Sequence, residues 1–341
     1  MEVWLGTFPA PGRGAAVAKM AEDDGWDGVA FTDSQSLSGD VFVGLAMAVQ
    51  ATKRLKLATG ATNPATRHPA IVASAMGTLQ VESGGRMVLG IARGDSALAY
   101  IGRKPLSLSE FRTGVQQVQT YLRGEAVDLD GYASRLEWLG QSNAPKVPVS
   151  IAATGPKVIE IAAQLTERVT FSLGARPERL RWAVEHARQA RAAAGLDPAS
   201  LSCGAYVNAV AHPDVERARE LVRGRLGVYA RFSTMHENAM GTLADEDRVV
   251  AEKLAANYDM SAHATSGARH AATLDDDFVD RFGIVGPSEQ VAARLRELAT
   301  LGLDHFIIVG HGRDVSPEVL AESSRRIGQE VIPQLRSMLT P

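Results

Sequence analysis

The chain has 341 residues, of which 45% are hydrophobic and 22% charged, and it carries a net charge of −3 at neutral pH. That balance argues against a nucleic-acid footprint, and no run approaches the roughly 18 apolar residues a membrane-spanning helix needs. The first residues open straight into a strand pattern rather than a leader, so a cytoplasmic protein is expected.

Short apolar runs alternate with longer helical patterns about eight times, the sign of repeated strand–helix units around a parallel sheet. An α/β barrel of this length commonly forms one domain with insertions, so a single domain over residues 1–341 is expected. Strands are expected over residues 2–8, 28–32, 55–59, 87–92, 147–152, 168–173, 201–211 and 304–309. The first helix, over 15–24, ends at Gly25, a residue suited to a left-handed cap; the second, over 41–52, starts behind Asp40 as N-cap. Further helices are expected over 70–82, 109–123, 154–165, 177–194, from Pro213 onward, and over 245–258, 287–301 and 317–338. Two segments break the alternation. Residues 124–146 read as an irregular or hairpin-like excursion, and residues 232–282 as a lid. Cys203 lies in an apolar run and is expected as a small buried hydrophobe.

Chemistry is expected where loops leave the carboxyl ends of the strands. Thr62-Asn63-Pro64-Ala65-Thr66-Arg67-His68-Pro69 follows the third strand, and its two prolines push Asn63 and His68 out of helical geometry, so the loop is stiff as well as polar. Arg93-Gly94-Asp95-Ser96-Ala97-Leu98 follows the fourth strand, and residues 33–39 follow the second. After the fifth strand, Thr154-Gly155-Pro156-Lys157-Val158 starts a helix whose free N–H groups suit a phosphate, although a plain helix cap has the same sequence. Asp95 suits a ligand contact or a turn; Arg93 and Arg67 suit an anion or a neighbouring carboxylate. His263 and His270 lie in a flexible-looking segment, where either faces a substrate as proton donor or sits in a solvated loop. Dinucleotide-binding, P-loop, zinc and nucleophile-elbow signatures are lacking, so no metal is expected and a bound cofactor or substrate must supply the chemistry.

Taken together, the 62–69 loop, Ser83-Gly84-Gly85-Arg86 leading to Gly90-Ile91-Ala92-Arg93-Gly94-Asp95-Ser96-Ala97-Leu98, and Ala152-Ala153-Thr154-Gly155-Pro156-Lys157-Val158 resemble the luciferase-like flavin and deazaflavin oxidoreductases. Tyr258-Asp259-Met260 with His263 and His270, and the run from Phe278 to Gly286, are similar to the methylenetetrahydromethanopterin reductase-like branch. The resemblance implies a TIM (β/α)8 barrel with insertions, a homodimer, and a non-prolyl cis peptide near Gly60-Ala61 behind the cofactor ring. It implies coenzyme F420 as the hydride carrier, with FMN and oxygen, or a non-catalytic flavin-binding barrel, as alternatives. By the same resemblance, Asp33, Thr62 and Asn63 sit near the ring; Arg93, Gly94, Asp95 and Ser96 run along the ribityl and phosphate portion; and Thr154, Gly155, Pro156, Lys157 and Val158 hold the phosphate. A proton for the product would come from Asp33, His263 or His270. The substrate is expected to be a small molecule chosen by residues 124–146 and 232–282.

Overall fold

A computed structural model describes residues 1–235, 239 and 241–340. Residues 236–238 and 240, which fall inside the segment expected as a lid, lie outside the described residues. Eight parallel strands close into a barrel in the order β1 (Glu2–Thr7), β12 (His305–Ile308), β9 (Ser202–Val207), β8 (Arg168–Phe171), β7 (Val149–Ala153), β4 (Met87–Ile91), β3 (Lys56–Thr59) and β2 (Gly28–Phe31). This is the TIM barrel the alternation suggested. Helices cover its outside: α1 (Gly14–Asp24), α2 (Val41–Ala51), α3 (Pro69–Glu82), α5 (Leu108–Leu122), α6 (Pro156–Leu165), α7 (Pro177–Ala193) and α8 (Val215–Phe232). Among the described residues no helix is long and apolar enough to cross a membrane.

Local chemistry sets the helix ends as expected. Gly25 caps α1 at φ +91°, and Asp40 caps α2 by accepting from the Phe42 and Val43 N–H groups. The 124–146 excursion is a hairpin of β5 (Val127–Leu129) and β6 (Tyr132–Ser134) followed by a 3-10 turn at Leu139–Gln141. A four-residue helix, α4 (Ser96–Ala99), follows β4 where only a loop was expected.

Two expectations are corrected here. The run over 201–211 is not one strand: Asn208 donates its side-chain amide to the Val309 carbonyl, and the chain steps out into β10 (Ala209–Ala211). That strand pairs with β11 (Ile284–Gly286), which the sequence reading did not separate as a strand. The C-terminal helix is also interrupted, because a π turn at Ile327–Val331 joins Pro317–Arg326 to Ile332–Leu339. Pro333 removes an intrahelical donor, and the wider turn accommodates the loss.

One core fills the layer between strands and helices, from Val3 and Phe31 to Phe306 and Leu335. A second occupies the barrel interior and the face under α8, where Trp4, Ala30, Ala58, Val88, Tyr206 and Ile307 point inward. The amino-terminal end of the barrel is closed by polar groups: Glu2 pairs with Arg168 and Lys56, and His305 meets Thr170 at 2.9 Å. Both neighbouring cations hold the Glu2 carboxyl down at about 2, against the opposing effect of burial. That leaves the other mouth of the barrel for ligands.

Candidate active site

A cavity of about 390 Å³ opens at the carboxyl ends of the strands. Its back wall is the chain leaving β3: Gly60, Ala61 and Asn63 line it, and the Gly60-Ala61 peptide is cis. Thr62 makes a parallel bridge to Ile91, donating its N–H to the Gly90 carbonyl at 2.9 Å and accepting from Ala92 N–H at 2.8 Å. Its side chain turns away from the cavity, and its hydroxyl donates to Asp33 Oδ2 at 2.6 Å. Thr62, expected beside the ring, is therefore not a lining residue. It positions Asp33.

Gly90 makes this wall possible, since a Cβ there would sit 2.0 Å from the Thr59 carbonyl oxygen, a backbone atom that cannot swing aside. Gly90→Ala is expected to lower stability by about 3 kcal/mol, the upper end of ordinary overpacking. Gly140→Ala, which meets nothing within 4 Å, is the neutral control, and urea midpoints of the two variants check the difference.

Asp33 lines the cavity and is only 4% exposed. Oδ2 accepts from Thr62 and from Arg67, which also reaches Asp40 at 2.7 Å, whereas among the described residues the buried Oδ1 has no partner. A buried carboxylate oxygen left open on a cavity wall is an acceptor waiting for a ligand donor. Asn63 spends its side-chain oxygen on the Ala65 and Thr66 N–H groups, so its amide nitrogen is the polar group the loop does not use.

The loop after β4 supplies the next stretch of wall. Gly94 takes φ +90°, a conformation that favours glycine, and Arg93, Asp95 and Ser96 line the cavity beside it. Arg93 Nε donates to the Leu106 carbonyl at 2.7 Å, and burial lowers its pKa. Ser96 meets Ser34 at 2.9 Å, and Asp95 pairs with Arg231 of α8.

Across the mouth, Thr154, Gly155, Pro156, Lys157 and Val158 all line the cavity. Among the described residues no side chain caps α6, and Pro156 has no N–H, so Gly155 and Lys157 carry the unclaimed donors of the first turn. A Cβ on Gly155 would find only Ala239 Cβ, at 3.9 Å, which leaves room for a ligand at that helix start.

The two histidines part company. His263 is 5% exposed and lines the cavity, with Nδ1 against the Tyr258 hydroxyl at 2.9 Å. Burial, then Arg231, Arg225 and Arg313, push its pKa down to about 3, so it is neutral at pH 7 and does not serve as an imidazolium acid. His270 is not among the lining residues: its ring stacks on Tyr258 at 4.1 Å and Nδ1 accepts from the Asp259 N–H, so it props the wall from behind. Neither is solvated. The segment around them is fastened, with Tyr100 donating to the Met260 carbonyl, Asp314 accepting from Ser266 and Gly267, and Arg313 donating to the His263 carbonyl. Part of the expected lid segment, residues 232–282, thus forms one wall of the cavity. Among the described residues no group of three or more His, Cys, Asp or Glu is placed to hold a metal ion.

Residues 2–305 match the family model described as luciferase-like monooxygenase. The chain belongs to this family. Among curated relatives of this luciferase-like chain, 5,10-methylenetetrahydromethanopterin reductase of Archaeoglobus fulgidus is 30% identical over 93% of this chain and 94% of its own. The F420-dependent glucose-6-phosphate dehydrogenase of Beutenbergia cavernae is 26% identical over 86% and 82%. The coenzyme F420 dependent tetrahydromethanopterin reductase of Methanopyrus kandleri superposes with a TM-score of 0.77, covering 98% and 99% of the chains at 22% identity, which establishes the shared fold.

In this luciferase-like barrel the sequence reading missed one whole wall. Arg225, Val228, Tyr229 and Phe232 of α8 line the cavity, together with Phe8 at the end of β1 and Tyr206 of β9. The signal was present, because positions 225, 228, 229 and 232 form one helical stripe, and an arginine heads it.

Proposed function

We infer that the protein is a coenzyme F420-dependent oxidoreductase, transferring a hydride between the deazaflavin C5 and a small organic substrate bearing a C=C, C=N or carbonyl/alcohol group. The observation that carries this reading is the meeting, in one cavity, of the Gly60-Ala61-Asn63 wall, the open Asp33 Oδ1 and the uncapped start of α6. Relatives over most of the chain's length support it, one named as a reductase and one as an F420-dependent dehydrogenase.

The residues present fit the cofactor. F420 supplies, when bound, the carbon that gives or takes the hydride. Asp33 Oδ1, an open acceptor, and the Asn63 amide, an unused donor, would hold the polar edge of the ring. The Thr154 hydroxyl, the Gly155 and Lys157 N–H groups and the Lys157 ammonium would hold the phosphate, where the helix dipole favours negative charge. Arg93, Gly94, Asp95 and Ser96, which line the cavity, would flank the chain between ring and phosphate. Phe8, Val228 and Phe232 exclude water from the reacting carbons. His263, held neutral, orients a polar atom of the substrate. Of the three residues expected to handle a proton, Asp33 is the one that both lines the cavity and keeps an open oxygen.

A homodimer accompanies this reading, supported by the exposed apolar side chains Val43 and Met47 on α2 and Ile71 on α3. Titrating purified apoprotein with F420 and with FMN tests the assignment. Clear F420 binding with negligible FMN affinity is the expected result. The opposite preference would replace it with an oxygen-using flavin enzyme.

A further inference from the structure

Among the described residues three arginines are nine-tenths or more buried, and two of them are spent on the fold. Arg179 donates to Thr242, Ser233 and the carbonyls of Leu173 and Ala239, and Arg191 to Ser200 and the carbonyls of Ala163, Thr166 and Asp197. Arg225 differs. It is 6% exposed, its Nε reaches the His311 carbonyl at 3.2 Å, and its guanidinium lies 3.9 Å over the Phe8 ring. Among the described residues it has no carboxylate partner, and it lines the cavity.

The surrounding charges do not neutralise it. Arg231 is matched by Asp95, Arg313 adds a second positive charge, and the other neighbours are His263 and the phenols Tyr229 and Tyr258. A guanidinium taken out of water without a counter-charge is costly, and an anion in the same low-dielectric pocket offsets that cost. Topology separates this point from the α6 start. Phe8 follows β1 and His311 follows β12, whereas α6 follows β7, four places from β1 around the eight-stranded ring. Along α8, seven residues, about 10 Å of helix rise, divide Arg225 from Phe232, and the chain beyond places Ala239 beside Gly155. The cavity therefore has two cationic or donor-rich poles on opposite sides.

We propose that Arg225 docks an anionic group of the substrate, a carboxylate or a phosphate, at the pole opposite the α6 start. This rests on the hydride-transfer reading above, which assigns the α6 pole to the cofactor phosphate. A planar guanidinium presents two parallel N–H donors, so carboxylate and phosphate are the groups it holds best.

Ligand-observed NMR titrations of the purified chain with benzoate, phenylphosphonate and the neutral benzamide test it. The wild type is expected to bind at least one anion and to discriminate against benzamide, the tighter anion naming the substrate group. Arg225→Met is expected to weaken that anion by about 10- to 100-fold, the equivalent of the roughly 1.5–3 kcal/mol of a charged hydrogen bond. Arg225→Lys, which keeps the charge and loses the fork, should fall between, and serves if the methionine variant does not fold. Equal binding of benzoate and benzamide, no binding of either anion, or anion binding untouched by Arg225→Met would each overturn the proposal. F420 titrated separately keeps the two readings apart. Loss of F420 binding with Arg225-dependent anion binding intact removes the functional assignment and leaves the anion site; the reverse does the opposite.

Discussion

Asp33→Asn is expected to weaken F420 binding by about 10- to 100-fold and to lower turnover with it, because the substitution turns an acceptor into a donor at the cavity wall. Thr62 and Arg67 both donate to Asp33 Oδ2, so the asparagine oxygen must face them, and the amide nitrogen then occupies the position of the open Oδ1. A ring N–H that would have been accepted meets another N–H. Arg67 keeps its bond to Asp40, so the loop should hold its place and the loss should be specific. Fluorescence titration with F420, alongside the urea midpoint, reads the two effects separately. Unchanged F420 affinity in a folded Asp33→Asn protein would move Oδ1 from the cofactor to the substrate.

Stability is expected to fall steeply as the pH drops from about 7 towards 4. His263 and His305 are buried, and both are held below the ordinary value of 6.5, His263 down to about 3 by burial and three arginines, His305 by burial and Arg168. His311 is pushed down to about 4, and His270 is also lowered. In each case the unfolded chain takes up a proton that the folded chain refuses. The stabilisation is therefore complete above 6.5 and is lost as pH falls from 6.5 towards the folded values. His263 and His305, the two held furthest below the ordinary value, remove roughly 2.7 kcal/mol per pH unit between them, against a total stability on the order of 5–15 kcal/mol. Glu2, whose folded pKa is depressed, adds its own loss only below about 4.5. Urea midpoints from pH 8 to 4 measure the slope, and His305→Gln should make it shallower by about one proton. A midpoint that stays flat between pH 7 and 5 would contradict this account.

The barrel was legible from the sequence because each parallel strand is buried on both faces and reads as a short apolar run closed by turn residues. The β10–β11 pair was not, since what splits residues 201–211 is one side-chain bond, Asn208 to the Val309 carbonyl, between positions far apart in the chain. The cavity walls built from loops were readable for a similar reason: Asn63, Asp95 and Gly155 sit in segments whose prolines and glycines announce their geometry. Arg225 was hidden inside an arginine-rich helix, where Arg217, Arg219 and Arg223 make ordinary ion pairs on the other faces. His270 shows the converse, as spacing alone could not tell a lining ring from one stacked behind Tyr258.

The seam of the barrel governs when the site can exist. Glu2 pairs with His305 and Leu5 with Ile308, contacts about 300 residues apart, and beyond them Ser324 clasps the Trp26 indole and the Asp24 carboxylate. During synthesis, at about 5–20 residues per second, β1 and β9 must wait as open edges until β12 emerges between them. Phe8 and His311, which frame Arg225, belong to the two sides of that seam. The Arg225 side of the cavity therefore forms only after β12 has closed the ring, and a nascent or prematurely ended chain offers two sticky strand edges with only half a pocket.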